Sequence, residues 1–166
     1  ESDNMLLRSA VEDLDVKTII STKIEHHAIL HALDYLEKKN ISIVYLPVDK
    51  NGEIKYKDLE NALSLDDSKK LVSLMHVNNE IGNMIDLEYV SKICQSKGAL
   101  LHTDAVQSIG HFKIDLTKIR VDFLSAAAHK FHGPKGVGFS FIRKNSGLNP
   151  FILGGSQERG LRAGTE

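Results

Sequence analysis

Short β-branched runs alternate along this chain with segments whose apolar residues recur every three or four positions, and few folds accept such a sequence. Residues 18–22 (Thr18-Ile19-Ile20-Ser21-Thr22) read as a short buried strand. Over 26–39, Ile29, Leu30, Leu33 and Leu36 fall on one helical face and charges fill the other. Residues 41–48 read as a second strand, closed by the turn signal Asn51-Gly52. A short helix is expected over 56–64, carrying Leu59, Ala62 and Leu63. A strong strand follows over 71–77, then a helix over 87–96 with Gly98 as its C-cap. Further strands are expected over 99–102, 121–126 and 137–143.

Strands alternating with helices of about ten residues imply a three-layer α/β sandwich, its mainly parallel sheet covered by helices on both faces. The near-continuous apolar run at 71–77 suits a strand buried on both sides. The link from residue 126 to residue 137 is only about ten residues and rich in Gly, short for a helical crossover, so the last strand is expected to run antiparallel. No linker or internal repeat divides the chain, and one layered unit over 1–166 is expected. The formal net charge of −1 gives no electrostatic reason to expect nucleic acid or an anionic membrane as a partner. No apolar run nears the roughly 20 residues of a membrane span. The single cysteine, Cys94, excludes an intrachain disulfide and suits a reducing, cytoplasmic setting.

In open α/β sheets ligands sit outside the carboxyl ends of the strands. Four successive strand ends here lead into polar residues: Glu25-His26-His27, Asn78-Asn79-Glu80, Asp104-Ala105-Val106-Gln107 and His129-Lys130. A lysine and an aspartate at neighbouring strand ends, with histidine and asparagine beside them, suit pyridoxal 5'-phosphate. That cofactor needs a lysine for a Schiff base and a carboxylate to keep its ring nitrogen protonated. On this logic Lys130 is the Schiff-base lysine, Asp104 the ring-nitrogen partner and His26 the ring-stacking residue. Asn79 and Gln107 lie on the phenolic-oxygen side, and His129 is a phosphate contact or proton relay. Blander readings stand beside these: a loop lysine is usually solvated, and an Asp after a strand is often only the N-cap of the next helix. His27 and His31 have the spacing of two metal ligands but no third ligand or HExxH glutamate, so no metal is expected. His76 and His102 read as core or edge histidines, and Cys94, on an apolar helix face, as a buried small hydrophobe.

Four motifs occur in one order: His76-Val77-Asn78-Asn79-Glu80-Ile81-Gly82, His102-Thr103-Asp104-Ala105-Val106-Gln107-Ser108, Ala128-His129-Lys130-Phe131-His132-Gly133-Pro134-Lys135-Gly136-Val137-Gly138, and Gly154-Gly155-Ser156-Gln157-Glu158-Arg159-Gly160-Leu161-Arg162-Ala163-Gly164-Thr165. Together they resemble the cysteine desulfurases of the class V aminotransferase family, over essentially the whole chain. The resemblance implies a fold type I pyridoxal-phosphate enzyme, a homodimer converting L-cysteine to L-alanine. Its sulfur is held as a persulfide on an enzyme cysteine and passed to an acceptor or scaffold protein for iron–sulfur clusters. By motif, Lys130, Asp104, His26, Asn79, Gln107 and His129 resemble the cofactor-holding residues already assigned. His26 resembles one that also transfers protons. Thr165 resembles the residue that reaches the phosphate of the neighbouring subunit's cofactor.

The chain departs from the family pattern in places. Ala127 stands where the family commonly has a Ser that donates to the phosphate. Glu1-Ser2-Asp3-Asn4 resembles the tail of a Gly-Ala-Thr-Glu phosphate-binding turn. Cys94 does not match the family's catalytic cysteine, which is expected beyond residue 166 together with the substrate-carboxylate arginine and a smaller C-terminal domain. The chain is therefore expected to be a partial cofactor domain, inactive alone. Two alternatives stay open: a selenocysteine lyase or another class V enzyme, and a non-catalytic scaffold.

Overall fold

The computed structural model describes residues 1–165. Ten elements follow one another: α1 (Ser2–Leu14), β1 (Thr18–Thr22), α2 (His27–Glu37), β2 (Ser42–Leu46), α3 (Tyr56–Leu63), β3 (Lys70–Ser73), α4 (Leu87–Ser96), β4 (Leu100–Asp104), β5 (Phe123–Ala127) and β6 (Gly138–Ile142). The strands form one sheet in the order β2-β1-β3-β4-β5-β6. Every neighbouring pair is parallel except β5–β6, which is antiparallel. The expected architecture and the reversed last strand are both found.

Consecutive strand residues point to opposite faces, and here both faces are apolar. Ile19, Leu71 and Phe123 join Leu6, Leu7, Ile29 and Leu33 in a core beneath α1 and α2. Ile20, Val72, Leu101 and Leu124 join Leu59, Leu63 and Val90 in a second core beneath α3 and α4. This two-sided burial is what the unbroken apolar run of β3 requires.

Helix α1 precedes the first element expected from the sequence. Its apolar residues Met5, Leu6, Leu7, Ala10 and Leu14 are buried, and Asp15 ends it in the left-handed conformation (φ 59°), with its N–H donating to the Ala10 carbonyl. It packs on α2 and reaches across the sheet to β5 and β6. β4 runs two residues further than the apolar pattern suggested. Thr103 and Asp104 pair with Leu124 and Ser125, and Thr103 Oγ1 donates to the Leu74 carbonyl at 2.8 Å. Those polar side chains disguise a buried strand end. β3 conversely stops at Ser73, although the Leu74 and His76 N–H groups still donate to the carbonyls of His102 and Asp104.

Between β5 and β6 the chain makes a single 3₁₀ turn, Ala128–Phe131, capped by His132 at φ 66°. The Gly133 N–H then closes back on the Ala128 carbonyl at 2.8 Å. A Cβ on Gly133 would lie 2.7 Å from Ala128 Cβ, and one on Gly138 would lie 2.5 Å from the Ala126 carbonyl oxygen. Glycine at both positions allows the short return.

Phe123 is fully buried in the α1/α2 core. Phe123→Ala is expected to lower the unfolding free energy by about 3–5 kcal/mol, read as a fall in the urea midpoint with an unchanged m-value.

Candidate active site

The strand order places β1 between β2 and β3, so the chain crosses from one side of β1 to the other after β2. In such sheets ligands sit outside the carboxyl ends of the strands, near a reversal of this kind. Parallel pairing of β1, β3, β4 and β5 carries Glu25-His26, Asn78-Asn79, Asp104 to Gln107 and His129-Lys130 to this one edge.

Asp104 ends β4 and is 4% exposed. Its Oδ1 accepts from the Val106 N–H at 2.9 Å, and no donor among the described residues engages Oδ2. Burial raises its carboxyl to about 6, Asp3 adding to the rise while the Val106 N–H, His102 and His26 oppose it. His26 is exposed and caps α2, its Nδ1 accepting from the Ala28 N–H at 3.1 Å. Its Nε2 is therefore the nitrogen free for other partners. Lys130 is exposed in the 3₁₀ turn, and its carbonyl accepts from His111 Nε2 at 2.9 Å. Gly110 makes room for this turn, since a Cβ there would lie 2.5 Å from Phe131 Cβ. Gln107 is half-buried, and His129 and Thr165 are exposed. Asn79 is also exposed, its amide donating to Glu80 Oε1 at 2.7 Å. Ala127 is half-buried at the end of β5.

Other residues of the edge carry no sequence signal of their role. Glu25, 6% exposed, accepts the Met75 N–H with both oxygens, at 2.9 and 3.2 Å, and the Thr22 hydroxyl at 3.0 Å. It straps the turn after β1 to the segment after β3, immediately before His26. Asn78 adds a second strap, its amide donating to the Ile24 carbonyl at 2.7 Å while its Oδ1 accepts the Glu80 and Ile81 N–H groups. Desolvation pushes the Glu25 carboxyl up to about 8 against the pull of its two donors, with Asp104 and Asp3 reinforcing the rise. The polar turn residues hinted at this edge, but pairings some fifty positions apart have no local pattern to betray them.

Cys94 is 2% exposed on the buried face of α4, and burial, followed by the nearby Asp122 charge, pushes its thiol up to about 12. A cavity of about 420 Å³ opens elsewhere, between the start of α4 and the 113–119 loop, lined in part by His76, Asp86, Glu88 and Lys113. It includes neither Asp104 nor Lys130.

The sequence model described as Aminotransferase class-V matches residues 1–165. The chain is 46% identical to a cysteine desulfurase IscS of Dictyoglomus turgidum over 168 residues, covering all of this chain and 42% of that protein. It is 42% identical to the cysteine desulfurase NifS of Azotobacter vinelandii, again over the whole chain and 41% of the relative. Among solved structures, a NIFS-like protein superposes with a TM-score of 0.92 at 45% identity, over 99% of this chain and 46% of that one. SspA in complex with cysteine gives a TM-score of 0.92 at 34% identity, with 99% and 48% coverage. The chain thus spans less than half the length of these relatives.

The folded chain holds the Glu25 proton to about pH 8, whereas an unfolded glutamate releases it near 4.5. Between these values the folded state binds more protons, so this group's contribution to stability falls as pH rises through that window. Glu25→Gln is expected to flatten the fall. Urea titrations at pH 5 and pH 8 should show the parent losing at least about 1 kcal/mol more than the variant across the window.

Proposed function

The chain belongs to the aminotransferase class V family, and on that premise we propose that it is the cofactor-binding part of a pyridoxal-phosphate-dependent cysteine desulfurase, converting L-cysteine to L-alanine with transfer of the sulfur to a thiol. The observation that carries this reading is the placement of Asp104 and Lys130 at adjacent strand ends of one sheet edge, on a chain whose relatives are named cysteine desulfurases.

The residues present fit the cofactor. Asp104 is a buried carboxylate with one oxygen fixed by a backbone N–H and the other free for a protonated ring nitrogen. Lys130 offers an amine without a partner among the described residues, on a turn whose backbone is anchored by His111. His26 is held at the start of α2 with Nε2 free. Asn79, Gln107, His129 and Thr165 would supply polar contacts around the group, Thr165 toward that of a second subunit. When bound, pyridoxal phosphate supplies an electron sink for the charge left at the substrate α-carbon.

The protein's own contribution is positioning and proton handling. The Asp104 carboxylate presents a fixed negative charge to the ring-nitrogen side. Lys130 Nζ, as the free amine, is the group able to take and return the α-proton, while His26, whose Nδ1 accepts the Ala28 N–H, carries its own proton on Nε2 and can donate it there. Glu25 holds the His26 turn against the segment after β3. Cys94, buried and with its thiol pushed up, cannot accept sulfur as a thiolate, so the acceptor must be a different thiol. We further read the protein as a homodimer in the cytoplasm, delivering sulfur to a scaffold for iron–sulfur clusters. No helix among the described residues is long and apolar enough to cross a membrane.

Pyridoxal phosphate added to the purified protein is expected to give a red-shifted visible band. Borohydride should then fix the cofactor mass on Lys130. Lys130→Ala should abolish both signals, and Asp104→Asn should weaken cofactor retention tenfold or more, at about 1.4 kcal/mol per decade. A cofactor mass on another lysine, or none at all, overturns the assignment.

A further inference from the structure

A row of polar side chains runs beneath the site, on the sheet face covered by α1. His102, fully buried in β4, has Nδ1 2.9 Å from Ser73 Oγ on β3 and Nε2 3.3 Å from Ser125 Oγ on β5. Asp3, at the start of α1, places Oδ1 3.6 Å from the same Nε2. That oxygen is buried without a hydrogen-bond partner among the described residues. His102 also lies two residues before Asp104, and so on the same face of β4, about 6–7 Å along the strand. Asp104 in turn pairs with Ser125. One imidazole thus stands between two buried carboxylates, with a third, Glu25, at the same edge.

Charge balance decides what this arrangement is. Glu25 keeps its proton to about pH 8, which leaves Asp3 and Asp104 as the carboxylates to be balanced, and two buried anions without a cation are costly. The buried lysine among the described residues, Lys70, sits at the amino end of β3 and is held by Asp66 at 2.7 Å, so it does not serve this edge. Both neighbours of the imidazole are hydroxyls, which can accept an N–H as readily as they donate to a bare nitrogen. An imidazolium would donate Nδ1–H to Ser73 and Nε2–H toward Ser125 and Asp3, satisfying the orphaned carboxylate oxygen. We propose that His102 is a buried imidazolium that acts as a positioning residue, keeping Asp104 ionised for the ring nitrogen of the bound cofactor. Other groups point the same way. Burial would raise the Asp3 carboxyl, but the His102 and Ser125 interactions, with a smaller pull from the N-terminal amine, outweigh it and hold Asp3 below the ordinary range. The charged and titratable groups bearing on Asp104 are Asp3 from α1, His102 from β4, His26 from the start of α2 and Glu25 from the turn before it. Of these only the histidines can offset its charge, and His26 is exposed where His102 is not.

The role rests on the proposed function, but the charge state can be read without cofactor. In cofactor-free protein carrying ¹⁵N-labelled histidine, the His102 nitrogens, assigned by their loss in His102→Gln, should both be protonated at pH 7. The Asp104 carboxyl, followed by ¹³C, should titrate about one unit higher in His102→Gln than in the parent. The affinity for pyridoxal phosphate should then fall at neutral pH in the variant and recover as pH rises, whereas a packing defect would weaken it equally at every pH. If His102→Gln does not fold, Asp3→Asn provides the second arm and should lower the His102 midpoint by about one unit. A neutral His102 at pH 7, or an Asp104 midpoint unmoved by loss of the imidazole, overturns the proposal. A parent protein that binds no pyridoxal phosphate overturns the proposed function instead, while the ¹⁵N and ¹³C shifts still decide the charge on His102.

Discussion

Parallel pairing of β1, β3, β4 and β5 is the constraint from which the rest of the molecule follows. Four strands running the same way put four consecutive strand ends on one edge, and the reversal of strand order falls between β1 and β3. Parallel strands need crossovers; α2 and α3 supply two of them on opposite faces of the sheet. Burial on both faces in turn demands apolar strands, which is why Ile19-Ile20, Leu71-Val72 and Phe123-Leu124 carry two apolar residues in succession where a half-exposed strand would alternate.

At the carboxyl edge that economy is broken. Ser21, Ser73, His102, Asp104 and Ser125 replace aliphatic residues on the α1 face, and Glu25 and Asp3 add two more carboxyls. Such burial is tolerable only where each polar group has a partner. Most do: Ser21 donates to the Ser73 carbonyl at 2.8 Å, Glu25 takes the Met75 and Thr22 donors, and Asp104 takes the Val106 N–H. The polar row thus couples the register of four strands to the electrostatics of the edge. A slip of one residue in β4 would bury Thr103 where Asp104 belongs and break this chain of bonds.

The parts legible in the sequence were those carried by local pattern. Alternating periodicities disclosed nine of the ten elements, and α4 was placed to the residue because Leu87, Val90, Ile93 and Cys94 share one face. Helix α1 escaped because its apolar residues are interrupted by Ser9, which faces the interior, and by Asp3, which is buried only through the polar row. Lys130, Asp104 and His26 were legible as chemical types at strand ends. Glu25, Asn78 and His111 were not, since each acts on a backbone group brought near only by folding: Met75, Ile24 and Lys130 respectively. His102 read as an ordinary core histidine because nothing local distinguishes an imidazole among leucines from one among carboxylates.

The sequence by itself determined the α/β class, the reversed last strand and the residue types available at the edge. These depend on periodicity, on the length of one Gly-rich link and on side-chain chemistry, all of which are local. Only the tertiary structure decided which of those side chains are buried and what charge surrounds them. Asp104 is raised to about 6 and Glu25 to about 8 chiefly because folding buries them away from water. Desolvation is a property of the assembled layers and of segments distant in the chain, and no window of sequence contains it.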